Sequence, residues 1–555
     1  MVNYRKSHIQ FSRNTPPKFV RFMRKPLGVI SQEKMGAYLG CPMEVDGRNT
    51  GTFTQIHDRV IQCISSWKYA CLSPAARSTL INSILVALAA HIMSVYLIPQ
   101  KILKKISSTI TKFYWGGRDQ VKPIYWKNRD TLELRKEEGG LGLRNLTNLN
   151  QALLFRQVWR ISKNPNALVS RVIRHKYGKD PLTLAREGKK LRNASWSMRS
   201  MVNCARSMKT GCGMRIGNGR NTRIQEEIWA GRKLVSFRER AYGNLAEKPI
   251  FVSDIMVGQR WDVNRIWNCF DRESAQRMLS TYLPMEEKED EIVWLQEENG
   301  VYSVKSGYWF LQKRGNSCNV DSKFWKRLWK VPMSQRWRTF CWKLAHDILP
   351  TKENLKKRKL LMDKFSKRTW KCSTLGINIL DNPRLEASTW FKNFFLREEE
   401  SLKTGNQKEL HSDWWEHGVQ QQCDYHLKID GAWKEEGNEG IRAAYGWVLE
   451  SRHLARRVGS GKIFALSPLQ AEVHSLLKGV ISAKAVADAV QISTDSKRLI
   501  QILRSPITAP VECTHILSDI LFILAQFSYC CIRKVHRLEI REAHNLAIQA
   551  RREPY

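Results

Sequence analysis

A chain of 555 residues, 42% hydrophobic and with 20 tryptophans, has material for three or four domains with ample cores. Its formal charge of +40 points to a polyanionic partner, and residues 424–555, with 18 Lys and Arg against 14 Asp and Glu, leave +36 of it on residues 1–423. Thirteen irregularly spaced cysteines, a polar Met1–Asn14 and the lack of a lipidation motif or basic amphipathic helix argue against a secreted disulfide scaffold and a membrane partner. A nuclear or cytoplasmic protein is expected, not secreted and without a transmembrane segment; the sequence says nothing about protein partners.

Residues 1–50 read as short strands and turns. Helices are predicted over Arg59–Trp67, Ala75–Pro99 and from Pro99 to Phe113. The apolar run Leu80–Pro99 contains Asn82, Ser83, His91 and Ser94, which suits a buried helix better than a membrane span. Gly139-Gly140-Leu141-Gly142 lacks the G-K-[ST] ending of a phosphate loop and reads as a turn before a helix from Asn148 to Ile161. These pieces have a family likeness. Tyr38-Leu39-Gly40, Trp67-Lys68 with Leu72-Ser73, Phe113–Gly117, and Gly139–Leu143 with Asn150–Leu154 resemble the region downstream of the polymerase palm in plant non-LTR retrotransposon reverse transcriptases, over about residues 2–180. The chain contains no Y-x-D-D turn, so it reads as starting after the palm, and no polymerase activity is expected.

Residues 181–290 form a basic, mixed connector. In it Met214–Ile224 reads as a hairpin with Asn218-Gly219 at its turn, its arginines either tracking phosphates or simply solvated. The acidic run Glu286–Glu291 reads as a solvated loop. Next, Val301–Tyr308, Phe324–Trp329, Trp337–Trp342 and Ile348–Thr351 resemble the reverse transcriptase zinc-binding domain, here spanning 291–371. In that family a C-x-x-C pair and an H…C pair follow. Here Arg358-Lys359-Leu360 passes directly to Phe365–Trp370, as though the ligand segment were deleted. Cys341, His346 and Cys372 do not have the spacing of a closed zinc site, so zinc is not expected. The tryptophans at helical spacing favour core over base stacking, and Lys356–Lys359 reads as a solvated helix end rather than a nuclear signal. Residues 372–424, with Arg397–Glu400, read as a linker.

The remaining 425–555 carry the chemistry. His426–Asp430 reads as a strand that delivers Asp430 at its end. Ser467-Pro468 opens a helix, with a capping hydroxyl and a proline at its first position, and puts Glu472 in the second turn. Val490–Ser493 is β-rich, so Asp495 falls just past a strand. Three carboxylates so placed suit a pair of hard divalent cations, Mg²⁺ or Mn²⁺, although the spacing alone favours ordinary solvated acids. Further strands are predicted over Ala443–Glu450, His453–Gly459 and Tyr529–His536, with helices over Lys497–Leu503, Thr514–Phe527 and Glu542–Arg551.

The order of elements, with Asp430-Gly431-Ala432-Trp433, Ser467–Glu472, Thr494-Asp495-Ser496 and Ala543-His544-Asn545-Leu546-Ala547, resembles the RNase H domain of the same elements over about Tyr425–Arg551. The resemblance implies an α/β domain with a mixed five-stranded sheet, following a mainly helical N-terminal region and a small Trp-rich helical module. It also implies metal binding by Asp430, Glu472 and Asp495, two Mg²⁺ or Mn²⁺ ions, and cleavage of RNA in RNA–DNA hybrids. His544 falls at a fourth catalytic position where the family often has Asp, and Ile540 stands where Asn is usual. Imidazole tolerates Mn²⁺ better than Mg²⁺. The alternative expectation is a catalytically weak or inactive remnant that still binds RNA, DNA or their hybrid.

Overall fold

The computed structural model describes residues 50–67, 72–116, 123–188, 193–238, 248–313, 322–358, 414–435, 441–452 and 455–552, with residue 191 and short stretches of 8–42. The chain forms two compact units, one of residues 1–207 with 307–407, the other of 208–306 with 408–555.

The first unit is helical. Ile56 and Val60 of helix Thr54–Ser66 meet Ile102, Leu103, Ile106, Ile110 and Phe113 of helix Gln100–Trp115 in one core. The three- and four-residue spacing of these side chains gives each helix a single apolar face. Pro74–Met93 is long and apolar enough to cross a membrane. Its Ile81, Leu85, Ala89, Ile92 and Met93 are buried in the same core. Residues 17–27, expected to be strand or turn, form helix Pro17–Leu27.

The double-glycine turn has a packing role. Gly139 adopts φ +86°, and a Cβ there would lie 2.9 Å from the ring of Trp325. Its carbonyl accepts from Trp342 Nε1 at 2.7 Å and contacts His346 Nε2 at 2.7 Å, while the His346 ring stacks on Trp325. Trp325 and Trp342 are therefore core, as their spacing suggests. Cys341 is also buried here, and burial pushes its thiol up to about 11. Cys372, Phe365–Trp370 and Arg397–Glu400 lie outside the described residues.

In the second unit, the C-terminal sheet has six strands rather than five: β1 (Trp414–Gly418), β2 (Tyr425–Glu435), β3 (Ile441–Ser451), β4 (Arg456–Ile463), β5 (Ala489–Thr494) and β6 (Tyr529–Lys534). Their order is β4-β3-β2-β5-β6-β1. The β2–β5 and β5–β6 pairs are parallel, and the β2–β3, β3–β4 and β6–β1 pairs antiparallel. The added strand comes from the stretch read as linker, where Trp415 packs on the core. Four helices complete the domain: α1 (Pro468–Lys484), α2 (Lys497–Arg504), α3 (Val511–Leu524) and α4 (Arg541–Arg552). As the sequence indicates, Ser467 accepts from Gln470 N to cap α1, with Pro468 at the first position. Leu427 and Ile429 of β2 are buried with Val473, Leu476 and Val480 of α1 and Ile492 of β5. Each such side chain contributes about 1.5–3 kcal/mol.

Residues 208–306 do not stand alone as a connector. They have a core of Met214, Ile224, Trp229, Val252, Ile266, Phe270 and Met278, and they pack on the sheet domain. Tyr282 donates to Asp519 of α3 at 2.8 Å, and the fully buried Gln470 of α1 donates to Ser280 O at 2.8 Å. The expected Met214–Ile224 hairpin is absent. Cys212–Arg215 pairs instead with Glu291–Trp294. The reason is Asp290, whose carboxylate accepts from Gly217 N, Gly219 N, Asn221 N and the Thr222 hydroxyl at 2.7–3.2 Å. Four hydrogen bonds to one charged acceptor outweigh a local turn preference. The acidic run is thus an organiser of this segment, not merely a solvated loop.

Candidate active site

Two glycines let two helices close on β2 and β3 at the level of Asp430. A Cβ on Gly431 would stand 2.5 Å from the backbone of Ala471 and Glu472, so glycine admits α1 to this face. Gly446 is opposite Asp430 in the antiparallel register, and a Cβ there would collide with the Ala543 carbonyl and lie 2.7 Å from Ala547 N. That gap admits α4, which presents Ala543 and Ala547.

Asp430 is not at a strand end as expected. β2 continues to Glu435 because β3 pairs with it along its whole length, whereas its pairing with β5 stops at Lys428 opposite Ser493. Asp430 therefore sits where one neighbour of β2 ends and leaves an opening. Carried two residues further, the parallel register sets Asp495, just past β5, level with Asp430. Glu472 is in the second turn of α1, and Ser496, which caps α2 by accepting from Leu499 N, lies close enough to favour the charged form of the Glu472 carboxyl.

His544, near the start of α4, lies against Asp430, with Nδ1 2.7 Å from Oδ2. The Arg537 NH2 group is 3.1 Å from both ring nitrogens of His544, so it lies over the imidazole face and not on an in-plane lone pair. The Arg537 Nε lies 3.9 Å from the Asp495 carboxylate.

Burial raises the carboxyl of Asp430, Asp495 raises it further, and the hydrogen bond from His544 offsets part of the shift. Burial pushes Glu472 up to about 7, with Asp495 and Asp430 adding to the shift and nearby Ser496 opposing it. Glu472 Oε2 is buried without a hydrogen-bond partner. An unpaired, buried oxygen within electrostatic reach of two further carboxylates suits a hard cation chemically. Among the described residues, however, no group of three or more His, Cys, Asp or Glu is spaced to hold a metal ion. One oxygen of Asp430 is instead engaged by His544.

All four residues singled out from the sequence thus lie at one end of the sheet. Sequence reasoning missed Arg537, Ser496 and the two glycines. The position of Arg537, seven residues before His544 in the loop into α4, was the available signal.

Comparisons with known proteins place this site in context. The family zf-RVT, zinc-binding in reverse transcriptase, matches residues 302–374. An Arabidopsis thaliana protein named "Putative ribonuclease H protein At1g65750" is 28% identical over 56% of this chain and 51% of its own length. The chain thus spans about half of that relative. A second, "Uncharacterized mitochondrial protein AtMg00310" of the same plant, is 31% identical over 26% of this chain and 92% of its own length. The chain belongs to the retrotransposon reverse transcriptase and ribonuclease H family. Among solved structures, RNase H1 from the halophilic archaeon Halobacterium salinarum NRC-1 is 26% identical over 23% of this retrotransposon-type chain and 96% of that one, with a TM-score of 0.20. In the retrotransposon protein described here, the zinc-binding match covers helices Val304–Lys313, Ser322–Lys330, Gln335–Ala345 and Lys352–Lys357.

Proposed function

We propose that this retrotransposon-derived protein binds nucleic acid and hydrolyses the RNA strand of RNA–DNA hybrids. The observation that carries this reading is the unpartnered Oε2 of Glu472, buried within the electrostatic reach of Asp430 and Asp495. In this reading Asp430, Glu472 and Asp495 hold two Mg²⁺ or Mn²⁺ ions. Such ions, when bound, lower the pKa of a coordinated water and offset charge building on a phosphate. The chain's own side chains prepare the site. Ser496 favours the charged form of Glu472, Asp430 holds the His544 ring at Nδ1, and α1 and α4 wall the site. Contacts to 2′-hydroxyls would distinguish the RNA strand. The +36 on residues 1–423 would supply most of the grip on phosphates.

One observation favours a second reading, a catalytically weak or inactive nucleic-acid-binding remnant. His544 is lodged on the Asp430 oxygen that a cation would use. End-labelled hybrid incubated with the purified chain in Mg²⁺ or Mn²⁺ separates the two. Hydrolysis of the RNA strand, stronger in Mn²⁺ and abolished by Asp430→Asn, is expected. His544→Asp should raise the Mg²⁺-supported rate. Tight hybrid binding with no cleavage in either metal would establish the second reading.

A further inference from the structure

A cavity of about 750 Å³ opens where residues 208–306 pack on the sheet domain, a size within the usual range for a small-molecule site. Residues 208–306 contribute Met214, Arg215, Trp229 and Arg277 to its lining. The sheet domain contributes Leu466, just before α1, and Val511 and His515 of α3. Val511 N donates to Glu298 O at 2.8 Å, which ties the two sides together. The Trp229 ring is fixed by its Nε1, which donates to Ile224 O at 3.1 Å. Charge in the lining is layered by depth. The Arg215 and Arg277 side chains are 15% and 14% exposed, whereas Glu273 and Glu298 are 64% and 70% exposed. Arg215 Nε and His515 Nε2 are buried without a hydrogen-bond partner, and leaving such groups unmet is costly.

We propose that this cavity binds a nucleoside monophosphate unit, its phosphate at Arg215, its base against Trp229 and its ribose hydroxyls toward the carboxylates at the mouth. The lining excludes simpler ligands. A wholly apolar molecule would leave the buried Arg215 and His515 nitrogens unmet. A bare inorganic anion would leave Met214, Trp229, Leu466 and Val511 facing water. A nucleotide has a counterpart for each layer. Phosphate oxygens suit a guanidinium, a flat base suits an indole, and hydroxyl donors suit Glu273 and Glu298. A free mononucleotide and the 5′-phosphorylated end of a strand share this chemistry. None of Asp430, Glu472, Asp495 or His544 lines the cavity, so the proposal stands apart from the hydrolase reading.

The test uses the full chain in chelator, so that no divalent ion takes part. Isothermal titration calorimetry compares 5′-AMP, adenosine, inorganic phosphate and a 5′-phosphorylated single-stranded trinucleotide. 8-Azido-AMP is then photo-crosslinked and the labelled peptides are identified by mass spectrometry. One 5′-AMP should bind per chain, with adenosine and inorganic phosphate each about tenfold or more weaker, since each lacks part of the match. Arg215→Gln should raise the Kd for 5′-AMP about tenfold and leave that for adenosine unchanged. Lys233→Glu, at an exposed position on the mouth, keeps the fold and should weaken 5′-AMP about threefold through charge alone. The label should fall on peptides that contain Trp229 or Leu466. Tighter binding of the trinucleotide than of 5′-AMP assigns the site to strand ends, and looser binding assigns it to free nucleotide. The proposal is overturned if neither binds, if the label falls only elsewhere, or if both variants keep wild-type affinity.

Discussion

At the scale of single residues, the site is arranged at the expense of the fold. Glu472 is nearly buried with an unsatisfied oxygen, and its carboxyl titrates near 7 instead of the usual 4.5. A carboxyl raised in the folded state makes the protein less stable above that pH and has no such effect below its ordinary value of 4.5. In chelator at pH 8, Glu472→Gln should therefore raise Tm, through a gain in stability on the order of 3 kcal/mol at about 1.4 kcal/mol per unit. Divalent cations should raise the Tm of wild type but not of this variant, and thermal melts with and without Mn²⁺ would show both effects. His515 acts in the opposite direction. Burial pushes its ring down to about 4, with Arg215 and Lys288 adding to the shift against Glu291 and Asp519. Between pH 6.5 and 4 the unfolded chain takes up a proton that the folded ring refuses, so stability falls as pH drops through this window. His515→Leu should flatten that part of a plot of Tm against pH. An unchanged slope would place the acid sensitivity elsewhere.

At the scale of elements, what was legible in the sequence was whatever had a local chemical cause. Ser467-Pro468 marks the start of α1, β-branched spacing marks β5, and with them Glu472 and Asp495 were placed correctly. What failed had a distant cause. The Asn218-Gly219 turn gave way to an acid 71 residues on, since Gly219 N is held by Asp290. Trp414–Gly418 looked like linker because its partner, β6, lies more than 100 residues later. Asp430 was read at a strand end because pattern cannot show which neighbour of a strand stops first. Gly431 was seen only as a motif letter and Gly446 only as part of a strand, although they set the distances between layers. Gly446→Ala should push α4 away from β3, costing about 1–3 kcal/mol as an overpacked contact and breaking the His544–Asp430 hydrogen bond. Loss of that bond is measurable as a changed imidazole signal by NMR. A variant as stable as wild type, with the signal intact, would show that α4 can yield without consequence.

At the scale of the molecule, charge and architecture are divided differently along the chain. Residues 1–423 hold +36, yet residues 208–306 share a unit with 408–555. Binding of the full chain to hybrid should weaken about 10³-fold or more between 50 and 200 mM salt if at least six phosphates are contacted, as fluorescence anisotropy would show. A shallow salt dependence would count against the basic surface as the main grip. A cut at residue 423 would not isolate that surface cleanly, because it strips Tyr282 of Asp519 and Ser280 of Gln470. The same division has a consequence for biosynthesis. Tyr282 leaves the ribosome 237 residues before the Asp519 it binds. At about 5–20 residues per second, that is a wait of at least ten seconds, during which the docking face of residues 208–306 meets water or a chaperone instead of α3.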